Sequence, residues 1–305
     1  MLDKQKTVIA LGCFDSVHLG HQKVISSAKK YADERGLTLT VFTFSGNLKA
    51  IINQKEEKNV YLAFERERLL KSLGADDIFF APVSKEFLST DKKDFLDLLN
   101  DKYNIDCYFS GIDFTFGAFG KGDANYLTEY AKEHNQKHII VETLNMFDEK
   151  VSTTIIKSYL KSGRIQKANA LLGRPFSISG VVFKDRQVGK QLGFPTANIK
   201  LEKDKICVKD GVYIGNTIID GKKYLSIINC GNRPTFEVNE RVIESHIIDF
   251  DADLYGKNIE IEFLEYIRDI QKFIDKDKLI EQLSLDIDKA KGKKLWLNLG
   301  LVAIP

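Results

Sequence analysis

The chain is short of the residues that build covalent or metal frameworks: it has four cysteines, and Cys13, Cys107, Cys207 and Cys230 form no C-x-x-C pair. That scatter excludes a disulfide scaffold and a zinc knuckle, and predicts reduced, buried thiols in strand-like segments. An excess of either charge is also missing. Forty-five Lys and Arg stand against 43 Asp and Glu, a formal net charge of +2. No global field draws the chain to nucleic acid, and no basic stripe interleaved with aromatics supplies a local one. No apolar run approaches ~18 residues, which excludes a membrane-spanning helix. Met1-Leu2-Asp3-Lys4-Gln5-Lys6 has no apolar stretch behind its charges, so no leader is expected. The expectation is a cytoplasmic protein with no membrane and no nucleic-acid partner, monomeric or weakly homo-oligomeric.

Apolar residues are plentiful, at 43% of 305, enough for two cores. Up to about residue 145 the pattern alternates. Strand-like runs at 7–12, 37–44, 77–82, 105–110 and 137–142 are separated by helical stretches near 19–35, 61–73, 91–100 and 124–134. This predicts an α/β domain with a doubly wound parallel sheet, whose ligands bind beyond the carboxyl ends of the strands. Gly36 and Gly74 fit helix C-terminal caps and Asp91 an N-terminal cap. From Thr153 to Leu172 the pattern is helical, broken at Ser162-Gly163 and ended by Arg174-Pro175. Beyond Phe176, β-branched runs at 176–183, 211–219, 223–230, 242–250 and 258–267 alternate with Gly, Asn and Asp clusters. They predict an antiparallel β-barrel closed on its outside by an amphipathic C-terminal helix over about 276–290. The apolar tail Leu295–Ile304 suits packing or a subunit contact.

The densest chemistry lies in Gly12-Cys13-Phe14-Asp15-Ser16-Val17-His18-Leu19-Gly20-His21. His18 and His21 flank the first turn of the helix that follows strand 7–12. There free backbone N–H groups and the helix dipole favour an anion. An H-x-G-H in that place is how one class of nucleotidyltransferases holds a triphosphate, its imidazoles donating to charge that builds at the α-phosphate.

In the second half, Gly189-Lys190-Gln191-Leu192-Gly193-Phe194-Pro195-Thr196-Ala197-Asn198 brings glycines, a cation, a hydroxyl and an amide into ten residues. Backbone N–H groups at Gly189 and Gly193 and the charge of Lys190 suit a phosphate. Thr196 and Asn198 offer hard oxygen ligands for Mg²⁺. The spacing is not that of a Walker A loop. Asn229-Cys230-Gly231-Asn232-Arg233-Pro234-Thr235-Phe236 follows, then Glu244 inside the apolar run Val242–Ile248. A carboxylate there is either a general base in a partly dry site or an outward-facing residue of an alternating strand.

With these segments assembled, the chain resembles the bacterial bifunctional riboflavin kinase/FMN adenylyltransferase (FAD synthetase) family over nearly its whole length. The resemblance rests on G-x-F-D-x-x-H-x-G-H at Gly12–His21, Gly111-Ile112-Asp113-Phe114-Thr115-Phe116-Gly117 and Ser152-Thr153-Thr154-Ile155-Ile156-Lys157. In the second half it rests on G-x-P-T-A-N at Gly193–Asn198, N-x-G-x-R-P-T-F at Asn229–Phe236, Glu244, and Asp253-Leu254-Tyr255-Gly256-Lys257. It implies conversion of riboflavin to FMN and of FMN to FAD, with ATP as co-substrate, Mg²⁺ as cofactor, and no covalent intermediate. Domains are expected at 1–158 (adenylyltransferase) and 176–305 (kinase), joined by a helical linker over 159–175.

In that resemblance Glu244 is the kinase base, with His18 and His21 as the adenylylation catalysts. Gly12, Phe14, Asp15, Gly20, Asp113, Phe116, Ser152, Thr153 and Lys157 bind nucleotide or flavin in the first domain. Gly189, Lys190, Gly193, Pro195, Asn229 and Arg233 do so in the second, with Thr196 and Asn198 on the metal. The chain departs from the family pattern at Ser45-Gly46-Asn47-Leu48, Ser16, Ile155, Lys157 and Lys184-Asp185. Most departures lie in the first domain, so the alternative is a riboflavin kinase with a weak or inactive adenylyltransferase domain.

Overall fold

The computed structural model describes residues 5–52, 56–185, 189, 192–234 and 239–298. The chain divides into two compact units: Met1–Ile156 with Asp204–Ile206, and Lys157–Lys203 with Cys207–Pro305.

The first unit is a five-stranded parallel sheet of order β3-β2-β1-β4-β5, built from β1 (Lys6–Leu11), β2 (Thr38–Phe44), β3 (Asp77–Ala81), β4 (Asn104–Gly111) and β5 (Lys137–Val141). β1 and β2 are apolar and buried almost throughout, as strands covered on both faces must be. Successive residues of β1 serve opposite cores. Val8 and Ala10 pack with Val24, Ile25 and Ala28 of α1 (Leu19–Asp33). Ile9 and Leu11 pack with Leu96 and Leu99 of α5 (Lys92–Lys102) and Leu127 of α6 (Ala124–Glu133). Asp91 caps α5 by accepting from the Lys93 N–H at 2.8 Å. Two helices escape the period-based reading because they are short: α2 (Leu48–Ile52) and α4 (Lys85–Leu88). α3 is Ala63–Ser72, and a two-residue hairpin ladder joins β6 (Asn145–Met146) to β7 (Glu149–Lys150).

The sheet order reverses at β1, so the carboxyl ends of β1 and β4 open a crevice at the switch point. Residues 204–206 complete this unit. Asn59 exchanges backbone hydrogen bonds with Asp204 and Ile206, and the Lys205 ammonium meets the Glu65 carboxylate at 2.7 Å, both side chains at most 3% exposed.

α7 (Thr153–Lys161) and α8 (Ile165–Leu172) follow, separated by Gly163 at φ 76°. In the second unit, β8 (Phe176–Phe183), β9 (Ala197–Lys200), β10 (Gly211–Ile219), β11 (Lys222–Pro234), β12 (Asn239–Ile247) and β13 (Asn258–Arg268) close a barrel of order β10-β11-β12-β9-β8-β13. α8 packs on it: the Asn169 amide donates to the Phe263 carbonyl, and its amide oxygen accepts from the Phe176 N–H. At Gly215 a Cβ would lie 2.0 Å from the Glu262 carbonyl oxygen, so only glycine lets β10 approach β13 where their register shifts. The sequence predicts every barrel strand except β9, four residues long. The C-terminal helix α9 spans Lys276–Asn298, eight residues beyond the expected end, and its Ala290 packs with Val212, Ile214 and Ile227. The tail from Leu299 lies outside the described residues.

Candidate active sites

In the first unit, the turn from β1 to α1 carries backbone strain. Phe14 and Val17 both sit at φ 43°, and for β-branched Val17 this conformation is costly, on the order of 1–3 kcal/mol. Dense packing holds the turn in place. Phe14 and Val17 are buried, the Asp15 carboxylate accepts from the Val60 N–H at 2.7 Å, and the Ser16 hydroxyl meets that of Thr153 at 2.8 Å.

The strained turn delivers His18 to the N-cap of α1, where its Nδ1 accepts from the His21 N–H at 3.1 Å. A neutral imidazole accepting through Nδ1 carries its proton on Nε2, which fixes the tautomer. The two imidazoles stack with centroids 3.6 Å apart, and Phe14 meets His21 edge-on at 5.2 Å. Gly20 leaves room for this, since a Cβ there would come 3.1 Å from the His18 ring.

A cleft of about 410 Å³ opens in front of the pair. Gly12, Phe14, His18, Gly20, His21, Asp113, Ser152 and Thr153 all line it. Two cations absent from the sequence reading line it too. Lys49, on α2, donates to the Thr154 hydroxyl at 3.2 Å, and Lys150 pairs with Asp113 at 2.7 Å. Burial pushes the Asp113 carboxyl up, but the hydrogen bond and charge of Lys150 outweigh it and hold it below the usual carboxylate range.

Three expected ligands lie elsewhere. Asp15 is spent on the backbone of Val60 and does not line the cleft. Phe116 is buried between Phe95 and Phe114 in the core, 6% exposed, where packing and not ligand contact explains the aromatic. Lys157 stands one helical turn past Thr153 on α7 and is not among the lining residues.

In the second unit, cross-strand register assembles the site. Glu244 on β12 lies directly opposite Asn198 on β9 and Asn229 on β11. Residues paired this way share one face of a sheet, so the three polar side chains form a row across three strands. Glu244 does point away from the barrel interior, but into a cavity of about 330 Å³ that Thr196, Asn229, His246, Arg268, Leu279 and Leu283 also line. Its neighbour Ser245 points inward, fully buried, and bonds Thr217.

A further cavity of about 310 Å³ is lined by Pro195, Thr196, Ala197, Ser245, Asp253 and Tyr255, among others. Thr196 borders both cavities. The loop before β9 is held by the His246 imidazole, whose Nδ1 donates to the Pro195 carbonyl at 2.9 Å, and by a Phe194 N–H bond to the Gly189 carbonyl at 2.8 Å. At Gly193 the φ of 84° calls for glycine. Lys190 lies outside the described residues, and Arg233 is placed only by its backbone pairing with Glu240.

The amide oxygens of Asn198 and Asn229 are buried without a hydrogen-bond partner, an expensive state that a ligand would relieve. Among the described residues no group of three or more His, Cys, Asp or Glu could hold a metal ion. Neutral oxygens at Thr196 and Asn198 instead suit a cation that arrives with a phosphate and keeps most of its other ligands as phosphate oxygens and water. Sequence reasoning missed His246, and also Arg268, which lines the cavity and is clamped by Asp286 of α9 at 2.7 Å. A buried Asp on a helix reading as amphipathic was the available signal.

The family model described as FAD synthetase matches residues 1–155, and that described as riboflavin kinase matches residues 172–293. The chain is 35% identical over 293 residues to the bifunctional riboflavin kinase/FMN adenylyltransferase of Bacillus subtilis, covering 94% of this chain and 92% of that relative. It is 30% identical to the Escherichia coli K12 protein of the same name, over 92% and 90% of the two chains. A crystal structure titled macrolide-efflux protein from Streptococcus pneumoniae superposes with a TM-score of 0.86 and 31% identity, covering 94% of each chain. Among the described residues here no helix is long and apolar enough to cross a membrane.

Proposed function

The chain belongs to the bifunctional riboflavin kinase/FMN adenylyltransferase family, and on that premise we propose that it phosphorylates riboflavin to FMN and adenylylates FMN to FAD. Residues 176–305, apart from the 204–206 segment that completes the first unit, are assigned to the kinase, 1–158 to the adenylyltransferase, and 159–175 to the connection. The observation that carries the kinase is that Glu244 and Asn229, in register with Asn198 across three strands, line a cavity that meets a second one at Thr196. Riboflavin occupies the cavity of Glu244, and ATP reaches the boundary from the other.

Glu244 takes the proton of the riboflavin 5′-hydroxyl as that oxygen attacks the γ-phosphorus, and the bond to ADP breaks. Thr196 and Asn198 would hold Mg²⁺, which would supply neutralisation of phosphate charge when bound. Asn229 orients the flavin. His246, through the Pro195 carbonyl, positions the loop that carries Thr196. Arg233, Lys190, Gly189, Gly193 and Pro195 complete the substrate contacts.

In the first domain, an FMN phosphate oxygen attacks the α-phosphorus of ATP and pyrophosphate leaves. His18 donates through Nε2 to the charge that builds there, assisted by His21 and the N–H groups of α1. Lys49, Ser152 and Thr153 take the leaving phosphates. Lys150 neutralises Asp113 at the flavin side. Two departures from the family pattern in the first domain are accommodated: Ser16 gains a bond to Thr153, and Lys49 follows the altered 45–48 segment into the cleft. This supports two working domains over a kinase with an inactive partner. Substrates of this kind, drawn with ATP, point to the cytoplasm.

The test is to incubate the purified protein with Mg²⁺-ATP and either riboflavin or FMN, and to resolve the flavins over time. FMN followed by FAD is expected. FMN without FAD in either tube limits the chain to the kinase, and no product from a folded preparation overturns both assignments.

A further inference from the structure

The sulfurs of Cys207 and Cys230 lie 3.0 Å apart. A disulfide has its sulfurs at roughly 2.05 Å, so closure requires about 1 Å of approach. Cys230 is on β11, fully buried, immediately after Asn229 of the kinase cavity and opposite Gly211 and Ile243 in the barrel ladders. Cys207 lies in the segment leading to β10 and is only half-buried. The two are therefore unequal, one reachable from solvent and one packed behind it.

Arg241 sharpens the inequality. Its guanidinium pairs with Asp210 at 2.5 Å, donates to the Val208 carbonyl and reaches the Cys207 sulfur. The hydrogen bond from Cys230, with Arg241 in support, draws the Cys207 thiol below its usual range, while the same bond and burial push Cys230 up. This is the arrangement of an attacking thiolate with a resolving thiol. The other cysteines lack it: Cys107 is buried in the parallel sheet, and Cys13 is exposed at the mouth of the other site.

We propose that Cys207 and Cys230 form a redox-active pair that a low-molecular-weight disulfide of the glutathione class converts to an intramolecular disulfide, and that closure slows the kinase. The second half rests on the kinase assignment above. The Cys207 thiolate attacks one sulfur of the oxidant and expels the other as a thiolate, which takes up the Cys207 proton. Cys230, losing its own proton to the second departing thiolate, then attacks Cys207 Sγ and expels it. Two thiol groups of the protein are oxidised, and one small disulfide is reduced to two thiols. Most of the movement falls on the segment at 207–210, because β11 is held by ladders on both sides. Asn229 adjoins the bond directly. A displacement of about 1 Å at a substrate-positioning group can cost up to ~100-fold, and with most of the motion in the loop a several-fold loss is expected.

The test uses the full chain carrying Cys13→Ser, reduced and then exposed to glutathione disulfide. Loss of two hydrogens and a cross-linked peptide pair containing Cys207 and Cys230 are expected by mass spectrometry, both reversed by dithiothreitol. Riboflavin phosphorylation should fall several-fold with FMN adenylylation unchanged, and Cys207→Ser should keep the reduced rate and lose the response. Free thiols at both positions after treatment, or a lasting glutathione adduct on Cys207, overturns the pair. A proven disulfide without change in kinase rate overturns the regulatory half. If the reduced protein phosphorylates no riboflavin, the kinase assignment fails, and the mass of the oxidised protein still decides the thiol pair.

Discussion

The two candidate sites are built by opposite means. In the first unit the functional groups hang on a single strained turn, Phe14 to His21, and are aimed by local packing and a helix N-cap. In the barrel Asn198, Asn229 and Glu244 are ordinary strand residues with no backbone strain at Glu244, brought together by which residue faces which across β9, β12 and β11, with Thr196 added from the loop before β9. A site of the first kind is written in adjacent residues. A site of the second kind is spread over positions 189–283 and exists only once the ladders have paired.

The sharpest way to break this comparison is to remove one group from each site. Glu244→Gln is expected to lower FMN formation by about 100-fold or more, the usual worth of a general base, while adenylylation of supplied FMN holds. Flavin chromatography with both substrates reads the two rates in one preparation, and loss of both would contradict independent sites. His21→Ala is expected to do the reverse, cutting FAD formation by ~100-fold with FMN formation intact.

A smaller effect separates the strained turn from its supports. Lys49→Ala removes a cation from the cleft without touching the turn, and should raise the KM for ATP in adenylylation by about tenfold, the scale of one charge-assisted hydrogen bond. An unchanged KM would place the triphosphate away from α2.

The smallest is a pH effect confined to the first unit. His138 is held neutral between the Ser110 and Thr128 hydroxyls, and burial lowers its pKa from 6.5 to about 4. The unfolded chain therefore binds this proton more readily than the folded one. The stabilisation is complete above pH 6.5 and is lost as pH falls towards 4. Denaturant titrations between these values should show the decline, and His138→Gln should flatten it.

The same contrast explains what the sequence made legible. Hydrophobic periodicity located all five parallel strands, and the H-x-G-H turn announced itself because its chemistry is contiguous. Glu244 was ambiguous by alternation alone: it does face outward, and only the closing of a cavity over that face turns an outward glutamate into a site residue. Asp15 bonds the Val60 backbone and Phe116 packs in the core, roles in the frame of a site that a motif alone does not reveal. Lys49 stayed hidden on a five-residue helix too short to show a period.

The ion pair of Lys205 with Glu65 bears on how this protein can be cut. A fragment ending at Ile156 would keep Glu65, Tyr61 and Asn59 but lose Lys205, and with it the ammonium that meets the Glu65 carboxylate at 2.7 Å. Removing one partner of a buried pair costs roughly 3–5 kcal/mol, a large share of what holds a domain together. The first unit is thus compact in space but discontinuous along the chain, and a gene shortened to encode only its sequential part would deliver an adenylyltransferase missing one of its own internal bolts.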